Sequence, residues 1–299
     1  MVLHLPLFSS DSAAWPLGLP LLGGAASEII FSNPQPFGAS GDFTLYRSGD
    51  WLLGSATGQP GEAPEAAAHR LYRDLLQAAD NRPLARIWNY VPQINAHDAH
   101  GLENYQAFCR GRSLAFQAEL GSGFTQRLPA ASAVGLESDR LAIIFAANAH
   151  PVRHFENPRQ VPAYAYPREH GPRPPSFARA TVVPTTANRA DVFISGTAAI
   201  TGHTTLAPGD TSAQLGHTLE NLRAIGHACG VGETLAASHA TRHFKVYLRH
   251  AADYASVAAT LGSHLLTAGD HVSFVRSDIC RAALNVEIEV SLLDAPLVR

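Results

Sequence analysis

A proline-rich segment near the middle of the chain most constrains how this protein can fold. Residues 157–175 contain six prolines. Each proline lacks a backbone N–H and has a fixed φ angle, so this segment can form neither a helix nor a central strand. We therefore expect an ordered linker, or a long loop that lines a site, between two folded units.

Hydrophobic periodicity predicts the same order of elements on both sides of that segment, namely strands, a helix, a strand, a helix and closing strands. In the first half we predict strands at 28–31, 43–47, 51–55, 85–91, 131–136 and 141–148, and helices at 65–79 and 102–120. In the second half we predict strands at 177–183, 191–200, 243–249, 271–275 and 284–292, and helices after Asp210 and at 251–265. Asp210 follows a Pro-Gly turn and is the predicted N-cap of its helix.

The repeated order predicts an α+β protein of two tandem domains, each a β-sheet packed with two helices. The expected boundaries are 1–156 for the first domain, 157–175 for the linker or active-site loop, and 176–299 for the second domain. A chain of 299 residues is long enough for two such domains. Local similarity is weak, because WLLGSATG at 51–58 only partly matches VFISGTAA at 192–199. The predicted duplication therefore depends mainly on the order of elements.

Composition limits the classes of partner. The chain carries 22 basic and 25 acidic residues, and this net charge of −3 argues against a nucleic-acid groove and a polybasic membrane surface. No apolar run approaches the roughly 18 residues of a membrane span. The first residues lack the basic start of a signal peptide, and the cysteines Cys109, Cys229 and Cys280 are odd in number and far apart. We therefore expect reduced thiols in the cytoplasm.

Two carboxylates in the last predicted strand are the main candidates for catalysis. Strand alternation places Glu287 and Glu289 on one face, and apolar residues on the other. Either this face meets solvent, or burial and the neighbouring charge raise the pKa of one carboxyl until it serves as a general acid. The matching strand in the first half contains no acidic residue, so the first domain is expected to carry a degenerate site.

The remaining candidates are a cysteine, pairs of histidines and a set of arginines and tyrosines. Cys280 precedes Glu287 by seven residues and is either a small buried side chain or an activated thiol.

The histidine pairs at 150/154 and 239/243 lie in predicted strands and loops, where this spacing does not bring two ligands together, so we expect no metal. No dinucleotide or phosphate-binding glycine motif is present, so we expect no cofactor. Arginines and tyrosines at 86–112, 159–179 and 247–249 suit a small dianion, because guanidinium binds carboxylate in a bidentate manner.

The segment FISGTAAITGH at 193–203, the leucine-rich helix after it and VEIE at 286–289 resemble the YjgF/RidA superfamily of small chorismate-mutase-like domains. Over about residues 80–292 the chain more specifically resembles the chorismatase family, which is built from two such domains. The segments that carry this resemblance are RIWNYVPQIN at 86–95, 105–112, NPRQVPA at 157–163, YPR at 166–168, PSFARA at 175–180 and DICR at 278–281.

The resemblance implies an enzyme that acts on chorismate, a dianion with an enolpyruvyl ether, and releases pyruvate without a cofactor. The catalytic glutamate of the family falls on Glu287, which would protonate the ether methylene. Some members add water and keep a dihydroxycyclohexadiene ring. Others let the ring hydroxyl displace the side chain through an arene-oxide-like species and form 3-hydroxybenzoate. Cys280 matches the second type and leads us to expect 3-hydroxybenzoate, whereas Ala198 matches the first. Further members form 4-hydroxybenzoate or a mixture of the two.

The resemblance leaves the binding residues and the assembly more open. We expect two of five residues, Arg249, Arg168, Arg179, Tyr166 and Tyr164, to contact the substrate directly. An imine deaminase is one alternative, although the arginine that such enzymes carry near position 272 is missing. A non-catalytic module that binds an aromatic acid is another. Single superfamily domains form trimers, but tandem domains satisfy part of that contact internally, so we expect a monomer, with a homotrimer as the alternative.

Overall fold

The computed structural model describes residues 2–5, 15–28 and 30–298. Ile29 of the predicted strand 28–31, and most of the N-terminal stretch considered as a signal peptide, lie outside this range. The described residues form an α+β fold with two large sheets and four α-helices. No helix in this part of the chain combines the length and the apolar character needed to cross a membrane.

The first sheet has six strands in the order β3-β4-β5-β8-β6-β7. These strands are β3 (Gln35–Ser40), β4 (Phe43–Ser48), β5 (Trp51–Thr57), β6 (Leu84–Pro92), β7 (Ala130–Leu136) and β8 (Ala142–Asn148). Helix α1 (Pro64–Ala79) connects β5 to β6, and α2 (Asn104–Leu120) connects β6 to β7. The two helices pack on one face of the sheet around a core that contains Leu71, Tyr72 and Phe116.

The second sheet has eight strands in the order β1-β2-β15-β14-β16-β11-β10-β9. These strands are β1 (Val2–Leu5), β2 (Trp15–Gly24), β9 (Arg153–Phe155), β10 (Ala180–Pro184), β11 (Arg189–Ala198), β14 (Thr241–Leu248), β15 (His271–Arg276) and β16 (Val286–Pro296). A hairpin of β12 (Ile200–Thr201) and β13 (Thr204–Thr205) follows β11. Helices α3 (Thr211–Ala228) and α4 (Tyr254–His264) occupy the positions equivalent to α1 and α2.

The connectivity of the two sheets confirms the predicted repeat. Strands β9-β10-β11-β16-β14-β15 follow the same order as β3-β4-β5-β8-β6-β7, and the parallel pairs β14/β15 and β6/β7 correspond to one another. The N-cap prediction is also confirmed, because the Asp210 side chain accepts a hydrogen bond from the Ala213 N–H at 2.9 Å. In the proline-rich segment the only helices are two short 3₁₀ turns, Ala163–Ala165 and Arg168–His170.

The sheets do not follow the expected boundary at residue 156. Strands β1, β2 and β9 come from residues assigned to the first domain but extend the second sheet. The prediction of a strand at 28–31 was wrong for its described residues, and Gln35–Ser40 forms the edge strand instead. Prolines and glycines in β2 obscure its alternation. The prolines are tolerated because the part of β2 that carries them pairs with β1, whereas the pairing of β2 with β15 begins at Leu21.

The two sheets pack face to face, with a third core between them. Trp88 of β6 packs edge-to-face against Phe193 of β11, at 6.4 Å between ring centroids. Hydrogen bonds also cross this interface, since the Ser195 hydroxyl accepts from the Ala131 N–H at 2.8 Å. Side chains on the inner faces therefore contact the other half of the chain and are shielded from water.

Candidate active site

A cavity lies between the two halves, and ligand pockets commonly form at such interfaces between domains. Its walls are the start of α2, the proline-rich segment, β11, the loop before β16 and β16 itself. The lining residues are Glu103, Tyr105, Gln106, Tyr166, Glu169, His170, Pro175, Phe177, Arg179, Gly196, Ala198, Ile200, Cys280, Arg281 and Glu287. Both halves of the chain therefore contribute to one site.

Glu287 supplies a buried carboxyl group to this cavity. Strand β16 runs between β11 and β14, so Glu287 lies opposite Ala198 on one side and Tyr247 on the other. The residue is only 3% exposed. Burial, assisted by the negative charge of Glu289, raises the pKa of Glu287 to about 8, so this carboxyl keeps its proton at neutral pH.

The backbone beside Glu287 leaves room for its carboxyl group. A Cβ added to Gly196 on β11 would lie 2.0 Å from Glu287 Oε1. Only glycine therefore allows the carboxyl group to lie across this strand.

Glu289 has a different environment, although it lies only two residues away. It accepts hydrogen bonds from Arg86 Nη2 at 2.7 Å, Ser132 Oγ at 2.6 Å, Trp88 Nε1 at 3.1 Å and Lys245 Nζ at 2.6 Å. Burial alone would raise the pKa of Glu289, but the Lys245 ammonium and the Arg86 guanidinium outweigh it and hold this pKa well below its usual range. Glu289 is therefore an anion held by cations from both halves.

Cys280 lies next to Glu287. Its thiol donates to Glu287 Oε2 at 3.9 Å. Burial and the neighbouring Glu287 carboxyl raise the pKa of the Cys280 thiol well above its ordinary value, so the thiol stays protonated. Cys109, Cys229 and Cys280 are all free.

Arg249 supports the loop that carries Cys280 and does not line the cavity, contrary to its expected role as a substrate contact. Its Nη1 donates to Asp278 Oδ1 at 2.9 Å, and its Nε donates to the Leu284 carbonyl at 2.8 Å. Its Nη2 donates to the Asn95 side chain at 3.1 Å and to carbonyls of the loop. These contacts use all three nitrogens of the guanidinium, so Arg249 positions the loop.

Two other arginines lie close to the ring of Tyr166 within the cavity. Arg179 Nη2 donates to Tyr166 Oη at 2.7 Å, and Arg179 Nε is buried without a hydrogen-bond partner. The guanidinium of Arg281 lies 5.3 Å from the centroid of the Tyr166 ring. A buried N–H without a partner is costly, so the Arg179 guanidinium is suited to an anionic ligand.

The structure brings together five of the eight residues proposed from the sequence. Glu287, Cys280, Ala198, Arg179 and Tyr166 line the cavity, whereas three others do not. Arg168 is exposed, Tyr164 packs against the first core, and Arg249 holds the loop.

The sequence did not single out Arg281 or Phe177 as substrate contacts, although both lie in segments that carry the family resemblance, DICR at 278–281 and PSFARA at 175–180. Tyr105 belongs to the arginines and tyrosines at 86–112 that were expected to suit a dianion, and it does line the cavity. Glu103 and Gln106 at the start of α2 were not expected there, because they reach the cavity only through packing of the two halves.

Comparison with known proteins identifies the family. The family model for the N-terminal part of FkbO/Hyg5-like chorismatases matches residues 30–147. A 3-hydroxybenzoate synthase of Streptomyces hygroscopicus is 37% identical over 78% of this chain and 70% of its own length. A chorismatase of Streptomyces rapamycinicus is 37% identical over 86% of this chain and 79% of its own. The crystal structure of a chorismatase aligns with a TM-score of 0.75 and 32% identity, covering 86% of this chain and 80% of that chain. The chain therefore belongs to the chorismatase family.

Proposed function

We propose that this protein converts chorismate to pyruvate and 3-hydroxybenzoate. The observation that carries the proposal is the buried Glu287 carboxyl, whose pKa of about 8 keeps it protonated beside a cavity that contains two arginines. A 3-hydroxybenzoate synthase and chorismatases among the relatives support the choice of substrate.

The first step is protonation of a carbon atom. Glu287 gives its proton to the methylene carbon of the enolpyruvyl ether, and an oxocarbenium ion forms at the neighbouring carbon. Such a step needs an acid that is still protonated near neutral pH and a site shielded from water. Burial of Glu287 meets both conditions.

The second step releases pyruvate. The ring hydroxyl attacks the ring carbon that bears the ether, and the bond from that carbon to the ether oxygen breaks. The bonding electrons form the ketone of pyruvate, and the hydroxyl proton returns to Glu287. The arene oxide then opens, and the ring carbon that keeps the oxygen loses its proton. The Cys280 thiol gives a proton to the oxygen and receives the one from carbon, so no water or other reactant is consumed.

The carboxylates of the substrate need cationic partners inside the cavity. Arg179 is buried and has an unpartnered Nε, and the Arg281 guanidinium lies near the Tyr166 ring, 5.3 Å from its centroid. We assign one substrate carboxylate to each guanidinium, with the Tyr166 hydroxyl beside Arg179. This arrangement fixes the ether near Glu287 and Cys280.

Ala198 favours a second candidate, the dihydroxycyclohexadiene product. This residue lies opposite Glu287 in the register of β11 and β16 and lines the cavity. The resemblance associates alanine at this position with members that add water. In that case water would attack the oxocarbenium carbon, and the ring would keep both oxygens.

The test is an incubation of purified protein with chorismate, with no added metal or cofactor. Pyruvate is measured by coupling to lactate dehydrogenase, and the ring product is separated by chromatography against standards. Equal amounts of pyruvate and 3-hydroxybenzoate are expected. The diene diol or 4-hydroxybenzoate would overturn the product assignment but keep the reaction class, whereas no pyruvate from folded protein would overturn the reaction.

Variants separate the two roles. Glu287→Gln is expected to abolish pyruvate release, whereas Glu233→Gln at an exposed position should leave it unchanged. Cys280→Ala is expected to change the ratio of ring products more than the rate. Cys229→Ala, which removes a buried thiol at the C-terminal end of α3, is the matched control. An unchanged product ratio in Cys280→Ala would remove the relay role.

A further inference from the structure

Three side chains with metal-binding atoms meet at the mouth of the cavity, outside the residues assigned to the reaction. They are Glu169 and His170 of the proline-rich segment and His203 of the β12–β13 turn. His170 Nε2 lies 3.0 Å from His203 Nδ1. Glu169 Oε1 lies 3.4 Å from His170 Nε2 and 3.3 Å from His203 Nδ1. The three atoms thus form a nearly equilateral triangle.

The size of this triangle matches one small cation. Tetrahedral zinc has bonds of about 2.0–2.1 Å to nitrogen and oxygen, which place its ligand atoms roughly 3.3 Å apart. A hydrogen bond between the two imidazoles would explain only the 3.0 Å contact between them. It does not explain why a carboxylate oxygen lies at nearly equal distances from both nitrogens. Two histidines and one glutamate are also a ligand set that leaves a fourth position open.

Backbone contacts hold the two ligand-bearing segments together. Gly202, next to His203, donates to the Arg159 carbonyl at 2.9 Å and accepts from the Val161 N–H at 2.9 Å. His170 lies in a 3₁₀ turn in which its own N–H donates to the Pro167 carbonyl. The ligand triangle is therefore formed by the fold before any ion binds, which reduces the entropy lost on binding.

A side chain of the cavity wall also holds one of the ligand-bearing segments. Arg281 Nη1 donates to the His203 carbonyl at 2.8 Å, and this contact orients the turn that carries His203.

We propose that Glu169, His170 and His203 form a site for a divalent transition-metal ion of the Zn²⁺ class at the mouth of the cavity. The fourth coordination position is open to water or to a carboxylate. Binding at this site is independent of chorismate turnover, so failure of one proposal leaves the other standing.

The test is calorimetric titration of untagged, metal-free protein with zinc chloride. We expect one tight site per chain in the wild type. His203→Ala should weaken it at least about 10- to 100-fold, because even the outer partners of metal ligands contribute that much. His150→Ala is the control, since His150 is a surface histidine that also has a carboxylate neighbour, Asp50 at 3.3 Å. It should leave the affinity unchanged.

A second probe reports geometry independently of affinity. Co²⁺ bound to the wild type should show the intense visible absorption of a tetrahedral site, and His203→Ala should lose it. Glu169→Gln, a change at an exposed side chain, should weaken Zn²⁺ binding without affecting folding. Absent binding in the wild type, or equal affinity in wild type and His203→Ala, would overturn the proposal and leave a hydrogen-bonded cluster.

Discussion

At the scale of single residues, two neighbouring carboxylates are held in opposite protonation states. Glu287 and Glu289 lie on the same face of β16, and both are buried. Glu289 accepts hydrogen bonds from the cations Lys245 and Arg86, whereas Glu287 accepts one from the neutral Cys280 thiol. Partner charge therefore decides which carboxyl is the acid and which is the anion.

The rate of the proposed reaction should depend on the protonation of Glu287. In the proposed reaction Glu287 is the acid, and its pKa is about 8, so kcat/KM should fall as the pH rises through about 8. The measurement is the pH profile of pyruvate release between pH 6 and 10. A flat profile across this range would show that a different group donates the proton.

Glu287 should also make the fold less stable as the pH rises from about 4.5 to 8. Between about pH 4.5 and 8 the native state binds a proton on Glu287 that the unfolded chain has lost, so the free energy of unfolding falls as pH rises. The slope is at most about 1.4 kcal/mol per pH unit. Glutamine at this position does not titrate. The free energy of unfolding of Glu287→Gln, relative to that of the wild type, should therefore rise by a few kcal/mol between pH 5 and 8, measured by urea denaturation. Glu233→Gln should follow the wild type, and a parallel curve for Glu287→Gln would contradict the raised pKa.

At the scale of elements, the site depends on how closely β11 approaches β16. Gly196→Ala places a methyl group where the Glu287 carboxyl lies, so the acid must move. A displacement of about 1 Å can reduce kcat about 100-fold. We expect that loss in pyruvate release for Gly196→Ala, with the circular dichroism spectrum retained.

Another glycine in the same half provides the control. Gly216 lies in α3, and apart from its chain neighbours and the backbone of its own helix no atom lies within 4 Å of an added Cβ. Gly216→Ala should keep full activity and gain about 0.5–1 kcal/mol in stability, because alanine favours a helix over glycine. Equal activity of Gly196→Ala and Gly216→Ala would show that a methyl group at position 196 does not disturb the function of Glu287.

At the scale of the whole molecule, one buried ion cluster links the two halves. Lys245 Nζ lies 2.6 Å from Glu28 Oε2 and 2.6 Å from Glu289 Oε1, and Glu289 in turn binds Arg86 of the first sheet. Removal of one partner from a buried cluster leaves a desolvated charge uncompensated. The cluster therefore couples the stability of the sheets to the charge of Glu289.

Lys245→Met should destabilise the fold by about 3–5 kcal/mol, because Glu28 and Glu289 lose their shared cation. The measurement is urea denaturation at pH 7. Arg73→Met removes a surface ion pair with Glu119, of similar length at 2.7 Å, and should cost less than about 1 kcal/mol. Similar losses of stability in the two variants would show that burial does not increase the contribution of the Lys245 cluster to the free energy of unfolding.

The order of elements and the face shared by Glu287 and Glu289 were determined by the sequence alone, because both follow from local periodicity. Helices α1 to α4 and most of the strands lie where their apolar patterns place them. Asp210 caps α3 through a contact three residues away, which a sequence motif can encode.

Only the tertiary structure decided the remaining features. The face of β16 is buried against the other sheet and does not meet solvent, so one carboxyl keeps its proton. Strands β1 and β2 join the second sheet, and Arg281 and the start of α2 reach the cavity. The triangle of Glu169, His170 and His203 joins residues 33 positions apart in the chain. These contacts arise from the packing of distant segments, where burial and partner charge set pKa values that no local pattern encodes.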